Sequence, residues 1–130
     1  MTPDQILPYR KNYRNLTEIL TDHKLASLGD PYANFAYSLA ISRKRSELQG
    51  TKVKGTILAE ALKKAGLRER LPSGMSRHTL ADAAEALLAY GWLKNHITLT
   101  ETVNILGKAD DPTEGFSQLL TTIKNRIKLS

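Results

Sequence analysis

The chain has 130 residues, of which 41% are apolar, and it contains no cysteine. This length suits one hydrophobic core, since single domains cluster near roughly 100 to 150 residues, and we expect one domain over residues 1–130. The lack of cysteine excludes disulfides, thiolate nucleophiles and cysteine zinc sites. No apolar run is long enough for a membrane span, and the first residues lack the apolar core of a secretory signal. We therefore expect a cytoplasmic protein.

The formal net charge of +6 is concentrated in one part of the chain. Residues 43–70 hold nine Lys and Arg against three Glu, which is a surplus equal to that of the whole chain. Clustered cations favour a polyanionic partner, because they release counterions when they neutralise phosphates. The alternative is a solvated helix face with no partner.

Helical periodicity and capping signals recur along the chain, and no long alternation of apolar and polar residues predicts a strand. The sequence therefore predicts an all-α fold. The expected helices are a short one after Thr2, then about 15–22, about 25–48, one within 53–67 that ends at Gly66, about 77–94, one opening at Thr98, and one from Asp111 to about Ile127.

Within the third predicted helix, apolar side chains recur at steps of three and four residues and form one stripe. The stripe consists of Leu25, Leu28, Tyr32, Phe35 and Leu39. A single carboxylate, Asp30, interrupts this apolar segment and is followed by Pro31. Either Pro31 kinks the helix, or the helix starts afresh there with Asp30 as its N-cap.

The segment LADAAEALLAYGWL, residues 80–93, carries only two charges, Asp82 and Glu85. A helix that is apolar on nearly every side is expected to be buried, and residues three apart share a face. Two carboxylates at that spacing repel each other unless something compensates them. Thr79 could cap a helix with Asp82 in its first turn, or Arg77, Lys94 or a lysine of the basic stretch could form an ion pair.

A third possibility is a divalent cation, because Mg²⁺ prefers oxygen ligands from a few carboxylates. Asp30 would then be the third ligand, contributed by another helix. The histidines His23, His78 and His96 show no spacing typical of a zinc site, and we interpret them as ordinary surface or core residues.

Two motifs in the chain resemble those of the ribonuclease III family. LASLGDPYANF is similar to the family's signature helix, in which Leu-Gly-Asp precedes a small or apolar stretch and an Asn four residues after the Asp. LADAAEALLAYGWL is similar to the second motif, Asp-x-x-Glu-Ala followed by an apolar run. Their order and separation also fit, and the resemblance covers most of residues 23–95.

The resemblance implies an all-α homodimer that cuts double-stranded RNA with Mg²⁺, or Mn²⁺ as a substitute, and leaves 5′-phosphate and 3′-hydroxyl ends. It also implies Asp30, Asp82 and Glu85 as catalytic metal ligands, with Asn34 as a supporting polar group. Where the family usually carries a further Glu, this chain has Ala26. The resemblance is to the compact, archaeal-type branch, without a separate double-stranded-RNA-binding domain.

The basic stretch is the expected RNA contact, because an A-form duplex is recognised mainly through its backbone and minor-groove shape. The candidate residues are Arg43, Lys44, Arg45, Lys52 and Lys54. Two other functions remain open. The chain could be a catalytically inactive dimeric RNA-binding or RNA-processing accessory protein, or a helical protein-interaction domain whose charge is incidental.

Overall fold

The structure is a computed structural model that describes residues 2–129. Within that range it contains α-helices and one short 3₁₀ turn and no strand, which confirms the predicted all-α class. The helices are α1 (Pro3–Ile6), α2 (Leu16–Leu20), α3 (His23–Arg45), α4 (Gly55–Lys64), α5 (Arg77–Leu93), α6 (Leu99–Lys108) and α7 (Pro112–Arg126). The predicted domain over residues 1–130 includes two terminal residues that lie outside the described range.

Helix α5 is the centre of the fold, as its apolar sequence predicts. Every residue from Ala83 to Gly91 is buried. The many alanines allow close approach, and α3, α4 and α2 all pack against α5, while α4 and α6 also pack on α7. At Gly91 an added Cβ would lie 2.8 Å from a side-chain carbon of Ile123, so α5 and α7 are nearly in contact there.

Two of the predicted N-caps are wrong. Asp22 caps α3, and its Oδ1 accepts from the backbone N–H groups of Lys24 (2.9 Å) and Leu25 (3.2 Å). Asp30 therefore lies inside a continuous helix and is not an N-cap, and the chain does not start a new helix at Pro31. Ser76 caps α5, so the proposed capping by Thr79 is wrong as well.

Helix α3 ends at Arg45, three residues before the predicted Leu48. Ser46 takes a left-handed conformation with φ 52°, which stops the helix, and the Leu48 side chain is exposed. The capping box predicted for α6 is present: Glu101 N–H donates to Thr98 Oγ1 (3.0 Å), and Thr98 N–H donates to Glu101 Oε1 (3.1 Å).

The predicted apolar stripe of α3 is only partly buried. Leu25 is in the core, but Leu28 is 38% exposed and Phe35 is 56% exposed. Leu28 and Phe35 line an apolar groove of about 250 Å³ together with Tyr32 and with Trp92 of α5. The stripe thus serves the core at one end and forms an exposed groove further along. None of the described helices combines the length and apolar character needed to cross a membrane.

Candidate functional site

A cleft of about 540 Å³ lies between α3, α5 and the beginning of α4. Its α3 wall includes His23, Ala26 and Asp30, its α5 wall includes His78, Asp82 and Glu85, and Gly55 of α4 borders it. We call it the carboxylate cleft. All three carboxylates predicted as metal ligands line it, although they come from two motifs far apart in the chain.

Gly29 brings the two motifs together. A Cβ built at Gly29 would lie 1.9 Å from the backbone oxygen of Glu85 and 2.4 Å from its carbonyl carbon. Real Cβ atoms do not approach backbone this closely, so α3 and α5 can cross here only because position 29 has no side chain. The crossing fixes Asp30, the next residue, beside Glu85 through main-chain packing.

Glu85 is the most buried of the three carboxylates, with 8% of the residue exposed. Burial, a hydrogen bond with Asp30 and the negative charges of Asp30 and Asp82 together raise its pKa to about 8. At neutral pH this carboxyl group therefore holds a proton in the absence of a cation.

No cation of the described residues compensates these carboxylates. Of the proposed partners, Lys94 donates instead to the backbone oxygen of Tyr9 (3.0 Å), and Arg77 forms no ion pair with them within residues 2–129. The structural ion pair considered from the sequence is therefore absent from the described part of the chain.

The three carboxylates share the cleft without closing into a compact ligand set. Among residues 2–129, no group of three or more Asp, Glu or His side chains is gathered closely enough to hold a metal ion. The negative charges of both Asp30 and Asp82 act on Glu85, and Asp30 also forms a hydrogen bond with it. Like charges repel, so carboxylates without a cation between them are expected to stay apart.

Asn34 connects the cleft to the loop before α4. Its Nδ2 donates to Asp30 Oδ1 over a long 3.4 Å, and its Oδ1 accepts from the backbone N–H of Val53 at 2.8 Å. The side chain is thus a bridge between a carboxylate and the basic loop. This contact gives the predicted supporting residue a specific structural role.

The predicted RNA-binding residues fall into two groups. Lys52 and Lys54 are exposed and flank Val53, which lines the cleft. Arg43, Lys44 and Arg45 lie at the far end of α3, and Arg43 is 13 residues beyond Asp30. At 1.5 Å per residue this places the second group roughly 20 Å along the helix from the carboxylates.

Two members of the distant group have structural contacts that the sequence did not reveal. Arg43 donates to Asn104 Oδ1 (2.9 Å) and to the Val103 backbone oxygen (3.2 Å). Lys44 Nζ donates to the backbone oxygen of Ala109, at the end of α6 (3.2 Å). Both side chains therefore join the end of α3 to α6, and Arg45 reaches Gln49 Oε1 (2.7 Å).

His23 and His78 were interpreted from the sequence as ordinary surface or core residues, and the structure places both on the cleft. Each is seven residues before a carboxylate on its own helix, His23 before Asp30 and His78 before Glu85. Seven residues are about two helical turns, which puts each pair on one face. This repeated spacing of a histidine and a carboxylate was the sequence signal that could have predicted both histidines at the cleft.

The described residues form an all-α domain with a cleft lined by carboxylates. A family model described as Ribonuclease III matches residues 23–128. The match covers most of the chain and includes every candidate ligand, so the chain belongs to the ribonuclease III family. No curated protein matches the chain significantly.

Proposed function

We propose that the protein is a metal-dependent endoribonuclease that cleaves double-stranded RNA to 5′-phosphate and 3′-hydroxyl ends. Membership of the family supports ribonuclease activity. The observation that carries the proposal is Glu85, a buried carboxylate beside Asp30 and Asp82 with no cationic side chain of the described residues near it. A buried carboxylate without a cationic partner is costly, and such perturbed groups cluster at functional sites where a ligand compensates them.

The donor set suits a hard divalent cation, since carboxylate oxygens are the ligands preferred by Mg²⁺ and Mn²⁺. Asp30, Asp82 and Glu85 would hold the ion, and a bound ion would supply an activated water and charge stabilisation at the phosphate. Asp30 and Glu85 are held close by the crossing at Gly29, and Asp82 lines the same cleft. Glu85 would release its proton on binding.

For the RNA, the lysines beside the cleft are the proposed phosphate contacts. Lys52 and Lys54 are exposed on a loop that Asn34 ties to Asp30. Arg43, Lys44 and Arg45 would contact the duplex further along its backbone, beyond their structural roles. Such contacts fit recognition of an A-form duplex by shape and charge.

We also propose that a second copy of the chain covers the apolar groove of α3 and α5, giving a homodimer with one cleft for each RNA strand. Phe35 is 56% exposed and Leu28 is 38% exposed beside Tyr32 and Trp92. Exposed apolar side chains in a groove favour burial by a partner, and a two-fold axis buries the same patch twice. The family resemblance also implies a homodimer.

A second candidate function rests on Ala26. This residue is 6% exposed and lines the cleft at the position where the family usually carries a Glu. The chain therefore lacks one carboxylate of the usual set at the place where it would face the others. The alternative is an inactive, dimeric RNA-binding accessory protein.

Incubation of a labelled RNA duplex with the protein, with and without Mg²⁺, tests the proposal. We expect cleavage only with Mg²⁺, and a Glu85→Gln variant that binds the duplex but does not cut it. Binding without cleavage by the wild-type protein would favour the accessory function. Absence of both binding and cleavage would contradict both RNA functions.

The dimer has a separate test. We expect light scattering at micromolar concentration to give twice the single-chain mass of 14.5 kDa, and a Phe35→Glu variant to give the single-chain mass. Leu48→Glu is the matched control, because Leu48 is 92% exposed and lies outside the groove. A wild-type mass near that of one chain would contradict the dimer.

A further inference from the structure

A second concave surface begins beside the carboxylate cleft. His23, which lines that cleft, also lines a depression of about 650 Å³ formed by residues between Lys11 and Lys24. Arg14 lines this depression and also a pocket of about 360 Å³ between the start of α2, the 3₁₀ turn (Arg68–Arg70) and the end of α7. Because neighbouring cavities share a residue, the cleft, the depression and the pocket form one continuous surface.

Cationic side chains dominate the part of this surface outside the carboxylate cleft. Five of them line the depression and the pocket, against two carboxylates. Four of the five are exposed and one is half-buried. We call these side chains the cationic track: Lys11, Arg14, Lys24, Arg70 and Lys124. Only Arg70 belongs to the basic stretch of residues 43–70, so the track is a second concentration of positive charge.

The two carboxylates on this surface leave most of the positive charge uncompensated. Glu18 is occupied by Arg14, whose backbone N–H and Nε donate to its two oxygens (2.7 and 2.9 Å). The Asp22 side chain is 8% exposed, caps α3 and pairs with Lys11 (3.0 Å). The other three members of the track form no ion pair within residues 2–129: Lys24, Arg70 and Lys124.

The pocket at the far end of the track has the strongest demand for an anion. Arg14, Arg70 and Lys124 line it together, and no carboxylate of the described residues does. Two contacts hold these segments in place: Lys124 Nζ donates to the Ala65 backbone oxygen (3.2 Å), and Thr17 Oγ1 donates to the Arg70 backbone oxygen (2.6 Å). Like charges repel, so a bound anion would relieve the repulsion among three cations from separate segments.

The position of the track indicates which anion it meets. The track adjoins the carboxylate cleft through His23, so an RNA strand in that cleft can continue onto it. Tyr13, an aromatic residue that lines the depression, is 8% exposed and its hydroxyl donates to Asp22, so it offers little ring surface for stacking bases. Charges without a stacking platform favour contact with the phosphate backbone, independently of sequence.

We propose that the cationic track binds backbone phosphates of the RNA where it leaves the carboxylate cleft. Lys24, next to His23, meets the phosphates nearest the cleft, and Arg70 and Lys124 meet phosphates further along. The inference rests on the proposed function, because it takes the polyanion to be the RNA that enters the cleft. It adds a contact surface that lies mostly outside the basic stretch.

Two members of the track can be neutralised with little expected effect on the fold. Lys24 and Arg70 are exposed and form no ion pair within residues 2–129. Lys24 also lies in the first turn of α3, where the helix dipole disfavours a cation, so Lys24→Gln should not lower stability. Arg10→Gln is the matched control, because Arg10 is exposed, pairs with Asp4 (3.1 Å) and lines neither the depression nor the pocket.

The experiment measures binding of a labelled RNA duplex over a range of salt concentrations, with Ca²⁺ in place of Mg²⁺ so that cleavage does not interfere. Lys24→Gln and Arg70→Gln should each reduce the slope of log affinity against log salt by about one, and the double variant by about two. Arg10→Gln should change it much less. A double variant with the wild-type slope, or with the slope of Arg10→Gln, would overturn the proposal.

A measurement on the wild-type protein does not depend on the variants. Titration with the same RNA duplex, followed by amide NMR in Ca²⁺, should shift the signals of Lys24, Asn15 and Arg70, which lie along the track. Unchanged signals at all three positions would overturn the proposal and leave the track as a solvated surface.

The failure of this inference is distinguishable from that of the proposed function. If the wild-type protein cuts RNA but the double variant binds with the wild-type slope, the track is wrong and the nuclease function stands. If the wild-type protein binds RNA without cutting it and the double variant has the reduced slope, the track stands and the nuclease function is wrong. Absence of RNA binding by the wild type would overturn both.

Discussion

The N-terminus of α3 and the carboxylate cleft each contain a carboxylate withdrawn from solvent. The Asp22 side chain and the Glu85 residue are both 8% exposed. Asp22 accepts from the Tyr13 hydroxyl (2.6 Å), Lys11 Nζ (3.0 Å) and two backbone N–H groups. Although burial acts in the opposite direction, these donors lower its pKa to about 2, whereas the pKa of Glu85 is raised to about 8.

The difference shows that burial alone does not set the state of a carboxylate in this fold. Where the carboxylate has a structural task, as Asp22 does in capping α3, four donors meet it. At Glu85 the neighbours are two further carboxylates, which raise the cost of charge. Glu85 therefore lies among carboxylates with which no cationic side chain of the described residues forms an ion pair, and the proposed cation would supply that partner.

The largest effect should come from Gly29→Ala. The added Cβ would overlap the Glu85 backbone at 1.9 Å, so α3 and α5 would have to separate, with a loss of roughly 3 kcal/mol or more in the free energy of unfolding. Urea denaturation measures this. Gly50→Ala is the control, because nothing lies within 4 Å of its Cβ. Similar stability of both variants would contradict the close crossing.

Asp22→Asn should lower stability by about 2 kcal/mol at neutral pH, because Asn keeps the N-cap but loses the charge met by Lys11 and Tyr13. The folded pKa is depressed to about 2 from 3.8, so the contribution of Asp22 is present above pH 4 and is lost as the pH falls to 2. Denaturation at pH 7 and pH 2.5 checks this. A loss that is independent of pH would show that the charge is irrelevant.

Glu85→Gln should increase the free energy of unfolding, whereas Asp22→Asn lowers it. In the wild type without metal the folded pKa is near 8, while the unfolded pKa is near 4.5, so stability falls as the pH rises between these values. Without metal, the free energy of unfolding of the variant should be about 1–3 kcal/mol higher than that of the wild type at pH 8. The difference should be much smaller at pH 5.

Added Mg²⁺ or Mn²⁺ sharpens this test. The metal should raise the Tm of the wild type by mass action and leave that of Glu85→Gln almost unchanged. Metal binding should also tighten as the pH rises toward 8, because Glu85 must lose its proton. Equal metal stabilisation of both proteins would exclude Glu85 as a ligand.

The smallest effect should come from Lys11→Gln. Lys11 pairs with Asp22, but its side chain is 58% exposed, and solvent screening leaves an exposed ion pair with only a small contribution to stability. The loss should shrink further in 1 M salt because of screening. Tyr13→Phe provides the comparison, since Tyr13 is buried and its hydroxyl also bonds Asp22. An equal loss for both would contradict this ranking of the Asp22 donors.

The sequence predicts the parts of the fold that depend on local patterns. Caps such as Thr98 and Asp111, the apolar run of α5 and the paired motifs around Asp30 and Glu85 are all readable, because periodicity and capping chemistry act over a few residues. The class of fold and the three carboxylates of the cleft follow from them, whereas His23 and His78 were missed. The N-cap of α3 was missed because Asp22 and Asp30 both precede plausible first-turn residues.

Contacts between distant segments could not be predicted. The sequence shows a glycine at position 29 but not the backbone of Glu85 against it, and it shows Arg43 and Lys44 but not the α6 carbonyl groups they meet. The sequence does not distinguish a basic side chain that binds RNA from one that bonds to its own chain. Ser38 and Ser42 belong to no motif, so their hydrogen bonds to the backbone of Thr51 and Gln49 became visible only in three dimensions.

The close approach at Gly29 also determines when the site can exist during folding. Asp30 and Glu85 are 55 residues apart in the chain, and no local element contains both. Contacts of such long range form only after the intervening loop has been closed. A compact chain with formed helices but loose tertiary packing would have all the ligands and no place for an ion. At the proposed site, metal affinity would therefore measure completed folding, which a helix signal in circular dichroism would not reveal.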